Sequence, residues 1–159
     1  MDARKWLNPI SLLILMSVAM PIAFNAWSAM LNNFVVEKAS FTGEEIGILQ
    51  SLREIPGFLS FTLIFVLLIL KEQTFAVFSL ALLGLGVCLT GFFPNIYGLY
   101  FTTVIMSIGF HYFEAVKQSL SLQWLNKEEA PIILGRLLAV GSMTSLIAVS
   151  YTHLTLPTT

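Results

Sequence analysis

Residues 9–36 read PISLLILMSVAMPIAFNAWSAMLNNFVV, and none of them is charged. The hydrocarbon core of a bilayer is about 30 Å thick and is crossed by roughly 20 helical residues. The run is long enough to cross it with some tilt. A cleavable signal peptide carries an apolar stretch of only about 7–15 residues. The run therefore predicts a first transmembrane helix from about Pro9 to about Asn33, although Arg4 and Lys5 precede it as they would in a signal. Pro9 suits a first-turn position, where the missing N–H costs nothing. Pro21 falls mid-span and predicts a kink.

The rest of the chain repeats this pattern. It has 159 residues, of which 57% are hydrophobic and 11% charged, with a mean hydropathy of +0.84. Soluble domains are about 45–50% apolar and about 25% charged. The net charge of −1 gives no electrostatic footprint for nucleic acid. Cys88 is the single cysteine, so no internal disulfide or cysteine metal cluster can form, and no metal or cofactor is implied.

Glu37-Lys38-Ala39-Ser40-Phe41 reads as a short polar loop. Thr42-Gly43-Glu44-Glu45 then opens a second helix with a capping box, Thr42 facing Glu45, and its carboxylates suit the positive end of the helix dipole. That helix is expected to continue to about Leu70. Lys71-Glu72-Gln73 predicts a tight turn, and a third helix follows from about Thr74 to Phe93. Gly84, Gly86 and Gly91 would let a neighbour approach it closely. Pro94-Asn95 predicts another turn. A fourth helix runs from about Ile96 to about Leu125, about 45 Å at 1.5 Å per residue. A fifth begins near Pro131. With the N-terminus inside, Arg4, Lys5, Lys71, Lys127 and Arg136 lie on the inner side with Lys117 near it, and Lys38 alone lies in the outer loops. The positive-inside rule then favours a cytoplasmic N-terminus.

Polar residues fall in stripes. Ser17, Pro21, Asn25, Ser28 and Asn32 recur at intervals of three or four on the first helix, so they share a face. Gln50, Arg53, Glu54, Gly57 and Ser60 form a second stripe, interrupted by Pro56. Tyr100, Thr103, Ser107, His111, Glu114, Gln118 and Ser121 form a third. The third helix has no charged residue and no histidine between Thr74 and Phe93. Ionisable groups at membrane depth face the bundle interior or a wet cavity and mark pathways. Asn25, Gln50, Arg53, Glu54, His111, Glu114 and Gln118 are accordingly the candidate substrate or ion pathway. The alternative is that the stripes only join helices to one another. Arg53 suits an anion or carboxylate, and His111 and Glu114 suit proton transfer. Counting about 1.5 Å per residue, Arg53 and Glu114 are separated by about 12 Å in depth, more than one arginine side chain spans unless the two helices start at different depths. Glu114 and Lys117, at i and i+3, are closer candidates.

Phe41-Thr42-Gly43-Glu44-Glu45-Ile46-Gly47 followed by Leu49-Gln50-Ser51-Leu52-Arg53-Glu54-Ile55-Pro56-Gly57-Phe58-Leu59 resembles the second helix of the major facilitator superfamily (MFS). The tight turn after it is similar, and so is a fifth helix opening with Gly135-Arg136 and continuing through Gly141-Ser142. The resemblance covers residues from about 9 to 148. It implies an all-α polytopic transmembrane helix bundle, the first five helices or so of about twelve. It also implies that helices one, two, four and five border a central cavity and that helix three lies outside. Two departures stand against it. The inner motif Gly-x-x-x-Asp-Arg/Lys-x-Gly-Arg-Arg/Lys is replaced by Leu70-Lys71-Glu72-Gln73-Thr74-Phe75. The drug-exporter pattern on the fourth helix is replaced by Ile108-Gly109-Phe110-His111-Tyr112-Phe113-Glu114.

Residues 149–159 read VSYTHLTLPTT. The transposase end CTGTCTCTTATACACATCT, read from its third base, encodes Val-Ser-Tyr-Thr-His, and the adapter bases that follow continue the match. Residues 149–159 are therefore expected to be a translated sequencing adapter, and residues 1–148 a fragment that lacks its C-terminal helices and is inactive alone. The expected function is secondary active transport of a small solute, with protons as the candidate coupling ion, in the plasma or bacterial inner membrane. A small structural or assembly subunit, joined through the Gly84, Gly86 and Gly91 face, is one alternative; a membrane-embedded enzyme is the other. The sequence carries no His-Glu-x-x-His and no Gly-x-Ser-x-Gly, so no enzyme is expected.

Overall fold

A computed structural model describes residues 8–155, and these form an all-α protein with no strand among them. The helices are α1 (Pro9–Ala39), α2 (Gly43–Phe58), α3 (Leu63–Leu67), α4 (Glu72–Thr90), α5 (Ile96–Trp124) and α6 (Ala130–Thr155). A 3-10 segment, Leu59–Thr62, joins α2 to α3. Four helices, α1, α4, α5 and α6, are long and apolar enough to cross a membrane. Arg4 and Lys5, which carry part of the orientation argument, and Pro157 lie outside the described residues. Helix α6 continues through Val149 to Thr155, into the stretch that reads as an adapter.

The first helix is longer than its sequence suggests. Glu37, Lys38 and Ala39 belong to α1, not to a loop. Ser40 turns the chain with φ of 54°, and the Phe41 N–H reaches back to the Val35 carbonyl at 3.1 Å. This closure spans seven residues and puts Ser40 at the left-handed position that glycine usually holds at a helix end. Val35 and Phe41 are both buried beside it. Thr42 and Glu45 then close the expected capping box. The Glu45 carboxylate accepts the Thr42 N–H at 2.7 Å and the Thr42 hydroxyl as well.

The second helix is not one rod to Leu70. Helix α2 has 16 residues, about 24 Å at 1.5 Å per residue, short of a bilayer core of about 30 Å. Pro56 removes a backbone donor inside it, and the ladder tightens into the 3-10 segment shortly afterwards. The turn before α4 comes earlier than expected: Lys71 is the N-cap, and Glu72 and Gln73 are already helical.

The chain divides into two compact units. One comprises α1 up to Leu31 together with the chain from Ser121 onward; the other runs from Asn32 to Leu120. In the first, Leu13, Leu125 and Leu137 form a buried core, with Trp124, Ile133 and Leu134 packed on it. In the second, two glycines set the approach of α4 to α5. A Cβ on Gly86 would lie 2.6 Å from Met106 Cα, and one on Gly109 would lie 2.6 Å from the Ser79 carbonyl oxygen. Backbones meet directly at such points because no side chain holds them apart. Val77, Phe78, Leu80 and Leu85 of α4 are exposed, as expected of a lipid-facing surface. Gly86 is thus consumed within the chain, while Gly84 and Gly91 have open space. The three glycines do not form the single outward face that an assembly subunit would use.

Candidate functional site

In the second unit, α2 and α5 run side by side in the same direction. Contacts at both ends fix their register. Phe41 and Tyr100 pack edge to face at 5.8 Å, and the Tyr100 hydroxyl donates to the Glu45 carbonyl at 3.3 Å. Further along, Ser107 donates to the Arg53 carbonyl and the His111 ring sits on Gly57. A Cβ on Gly57 would lie 2.7 Å from that ring. At the 3-10 segment, the Tyr112 hydroxyl donates to the Leu59 carbonyl at 3.4 Å and pairs with the Thr62 hydroxyl.

Tyr100, Ser107 and His111 of the α5 stripe therefore face α2, as helical periodicity requires of residues at intervals of three and four. The next face of α5, with Thr102, Met106, Phe113 and Val116, is buried, and its Met106 and Gly109 meet α4. Helix α5 is polar on one flank and apolar or glycine-lined on the other, which separates a polar seam from the exposed apolar surface of α4.

The structure places the candidate residues unequally. Gln50, Arg53, His111 and Glu114 are half-buried on α2 and α5. Arg53 and Glu54 pair within α2 at 2.9 Å, with side-chain exposures of 23% and 61%. Glu114 and Lys117 pair within α5 at 2.5 Å, as the i,i+3 spacing suggests. Each of these two ion pairs stays inside one helix, which agrees with the depth argument against a direct Arg53–Glu114 contact. Gln118 is exposed. Asn25 belongs to the other unit. Its Nδ2 donates to the Pro21 carbonyl at 2.8 Å and to the Ser145 Oγ on α6 at 3.0 Å. It acts there as a link between α1 and α6, beside Gly141, whose absent Cβ would lie 3.4 Å from the Ser17 carbonyl oxygen. Pro21 has no N–H for that carbonyl to accept.

Tyr112 and Thr62 were not legible as site residues. Tyr112 lies beside the polar stripe, and its role depends on the 3-10 segment opposite it. Outside the membrane-spanning segments, hydrogen bonds from the Thr42 side chain, and then from its backbone, hold the Glu45 carboxyl below its ordinary value.

No family model, curated protein or solved structure matches the chain. Fold and site together define a multi-pass α-helical integral membrane protein.

Proposed function

We propose that the chain is part of a secondary active transporter that moves a small solute by alternating access, in the manner of the major facilitator superfamily. The observation that carries this reading is the segregation of charge. Arg53, Glu54, His111, Glu114 and Lys117 lie on α2 and α5, whose polar faces meet. Helix α4 carries no charge beyond its first turn and exposes bulky apolar side chains. Intramembrane charge is costly and is retained where a polar path requires it. Alternating access also needs an element that can bend, and the Pro56–Thr62 stretch supplies one: a proline, a glycine and a 3-10 segment in succession.

In this reading Arg53 receives an anionic or carboxylate group, with Gln50 and Glu54 beside it. His111 and Glu114 carry protons, with Gln118 further along the same stripe. A proton arriving at Glu114 competes with the Lys117 ammonium, so loading and release of Lys117 are linked. Lys71, Lys127 and Arg136 favour the cytoplasm for their side of the bilayer, the plasma or bacterial inner membrane, with the N-terminus inside. The test is uptake by the full-length protein in proteoliposomes under an imposed pH gradient. Glu114→Gln is expected to abolish the dependence of uptake on that gradient. Unchanged coupling refutes the role of Glu114, and no gradient-driven uptake of any solute by the parent protein refutes the transport reading.

A further inference from the structure

Oε1 of Gln50 on α2 and Oγ1 of Thr103 on α5 are shut off from solvent without a protein partner. Thr103 is 0% exposed. Contacts on either side fix their register. Tyr100 donates to the Glu45 carbonyl, and Ser107 to the Arg53 carbonyl. Thr103 lies between Tyr100 and Ser107 on α5, and Gln50 lies between Glu45 and Arg53 on α2. Because the two helices run in the same direction, both oxygens fall on one stretch of one seam. Buried polar groups are nearly always paired. Two unpaired oxygens at one level are better explained by a shared guest than by two separate lapses.

The donor set limits the guest. An amide oxygen only accepts, whereas a threonine hydroxyl both donates and accepts. The guest must donate to Gln50 and either accept from or donate to Thr103, and an O–H group does both. It would serve equally if the Gln50 amide were turned over. A cation is disfavoured, because the Arg53 guanidinium follows Gln50 by three residues. The flanking carboxylates are engaged as well, Glu45 with Thr42 and Glu54 with Arg53. With the amide as it stands, a carboxylate guest would face an acceptor at Gln50. We propose that Gln50 and Thr103 together bind one hydroxyl group between α2 and α5, supplied by water or by a polyhydroxylated solute. The solute source rests on the transport reading; the water source does not.

The test is a thermal-unfolding cycle on the full-length protein in detergent, with Gln50→Leu, Thr103→Val and the double variant. Each single change removes one partner and leaves the other oxygen buried alone, so each is expected to lower Tm by a few degrees. The double change leaves neither oxygen, and its loss is expected to be clearly smaller than the sum. Thr103→Ser retains the hydroxyl and is expected to melt with the parent. A double loss equal to the sum overturns the proposal. So does a Thr103→Val protein as stable as the parent, because the hydroxyl would then serve no guest. If Thr103→Val does not fold alone but folds when combined with Gln50→Leu, the shared guest is supported. If neither folds, Gln50→Ala and Thr103→Ala provide the same cycle with the same criteria. Mannitol separates the sources. A Tm rise in the parent larger than in the double variant assigns a solute hydroxyl, and equal rises assign water.

Discussion

Replacing Gly86 by alanine tests the packing that isolates the polar seam from the apolar surface of α4. The new Cβ would lie 2.6 Å from Met106 Cα and 2.7 Å from its Cβ. Carbon atoms rest at about 3.5–4.0 Å, so the two backbones must separate by roughly 1 Å, which forfeits a quarter to a half of each contact along the crossing. Overpacking of this kind costs about 1–3 kcal/mol. Alanine recovers up to about 1 kcal/mol as a better helix former. The net effect is a loss on the order of 1 kcal/mol, or about 2–4 °C in Tm for a chain of this size. The assay is thermal unfolding in detergent, with Gly84→Ala as control, since nothing lies within 4 Å of a Cβ there. Gly86→Ala is expected to melt below the parent, and Gly84→Ala at or above it. If both melt at or above the parent, α4 does not meet α5 at Met106 and the account of the seam fails.

Other perturbations probe other parts of the chain. Ser40 holds a left-handed conformation at the end of α1, which costs a non-glycine residue roughly 1–2 kcal/mol; Ser40→Gly is expected to raise stability by about 0.5–1 kcal/mol after the entropy cost of glycine, measurable as a higher Tm. The folded Glu45 carboxyl lies below its ordinary value because Thr42 bonds its charged form. Its contribution is therefore complete above the unfolded carboxyl's pKa and is lost as pH falls through the lowered value. Glu45→Gln is expected to flatten that acid-side loss, and an unchanged pH profile of Tm would remove Glu45 as its source. Tyr112→Phe deletes the hydroxyl that meets Leu59 and Thr62; faster amide hydrogen exchange confined to residues 59–67 is expected, and exchange matching the parent would show that Tyr112 does not hold the 3-10 segment.

Much of the fold was legible because membrane-spanning helices announce themselves by length and by the absence of charge. The starts of α1 and α5, the capping box at Thr42 and the Glu114–Lys117 pair all follow from local rules, and the structure contains them. What escaped depends on partners distant in sequence or on substitutes for the usual residue. Ser40 stands where a glycine would have marked the helix end. The break after Phe58 could not be placed from Pro56 alone, since proline often only bends a spanning helix. Gly86 and Gly109 looked like three or four other glycines, and only their contacts with α5 and α4 distinguish them. The stripes did not separate residues by role. Asn25 joins α1 to α6, Arg53 turns to its own neighbour Glu54, and Gln50 is left with an unpaired oxygen.

The most direct measurement is thiol labelling along α5 in the full-length protein in native membranes. Cys88 is exposed and is first replaced by serine. Single cysteines are then introduced at His111, Glu114 and Gln118 on the polar stripe, at Met106 and Phe113 on the buried flank, and at Val77 and Phe78 on α4. A membrane-impermeant maleimide is expected to label the first group and leave the other two unlabelled, because only the polar stripe borders water. Protection of His111, Glu114 and Gln118 to the same degree as Val77 and Phe78 would mean that no aqueous path follows α5, and the transport account would be contradicted.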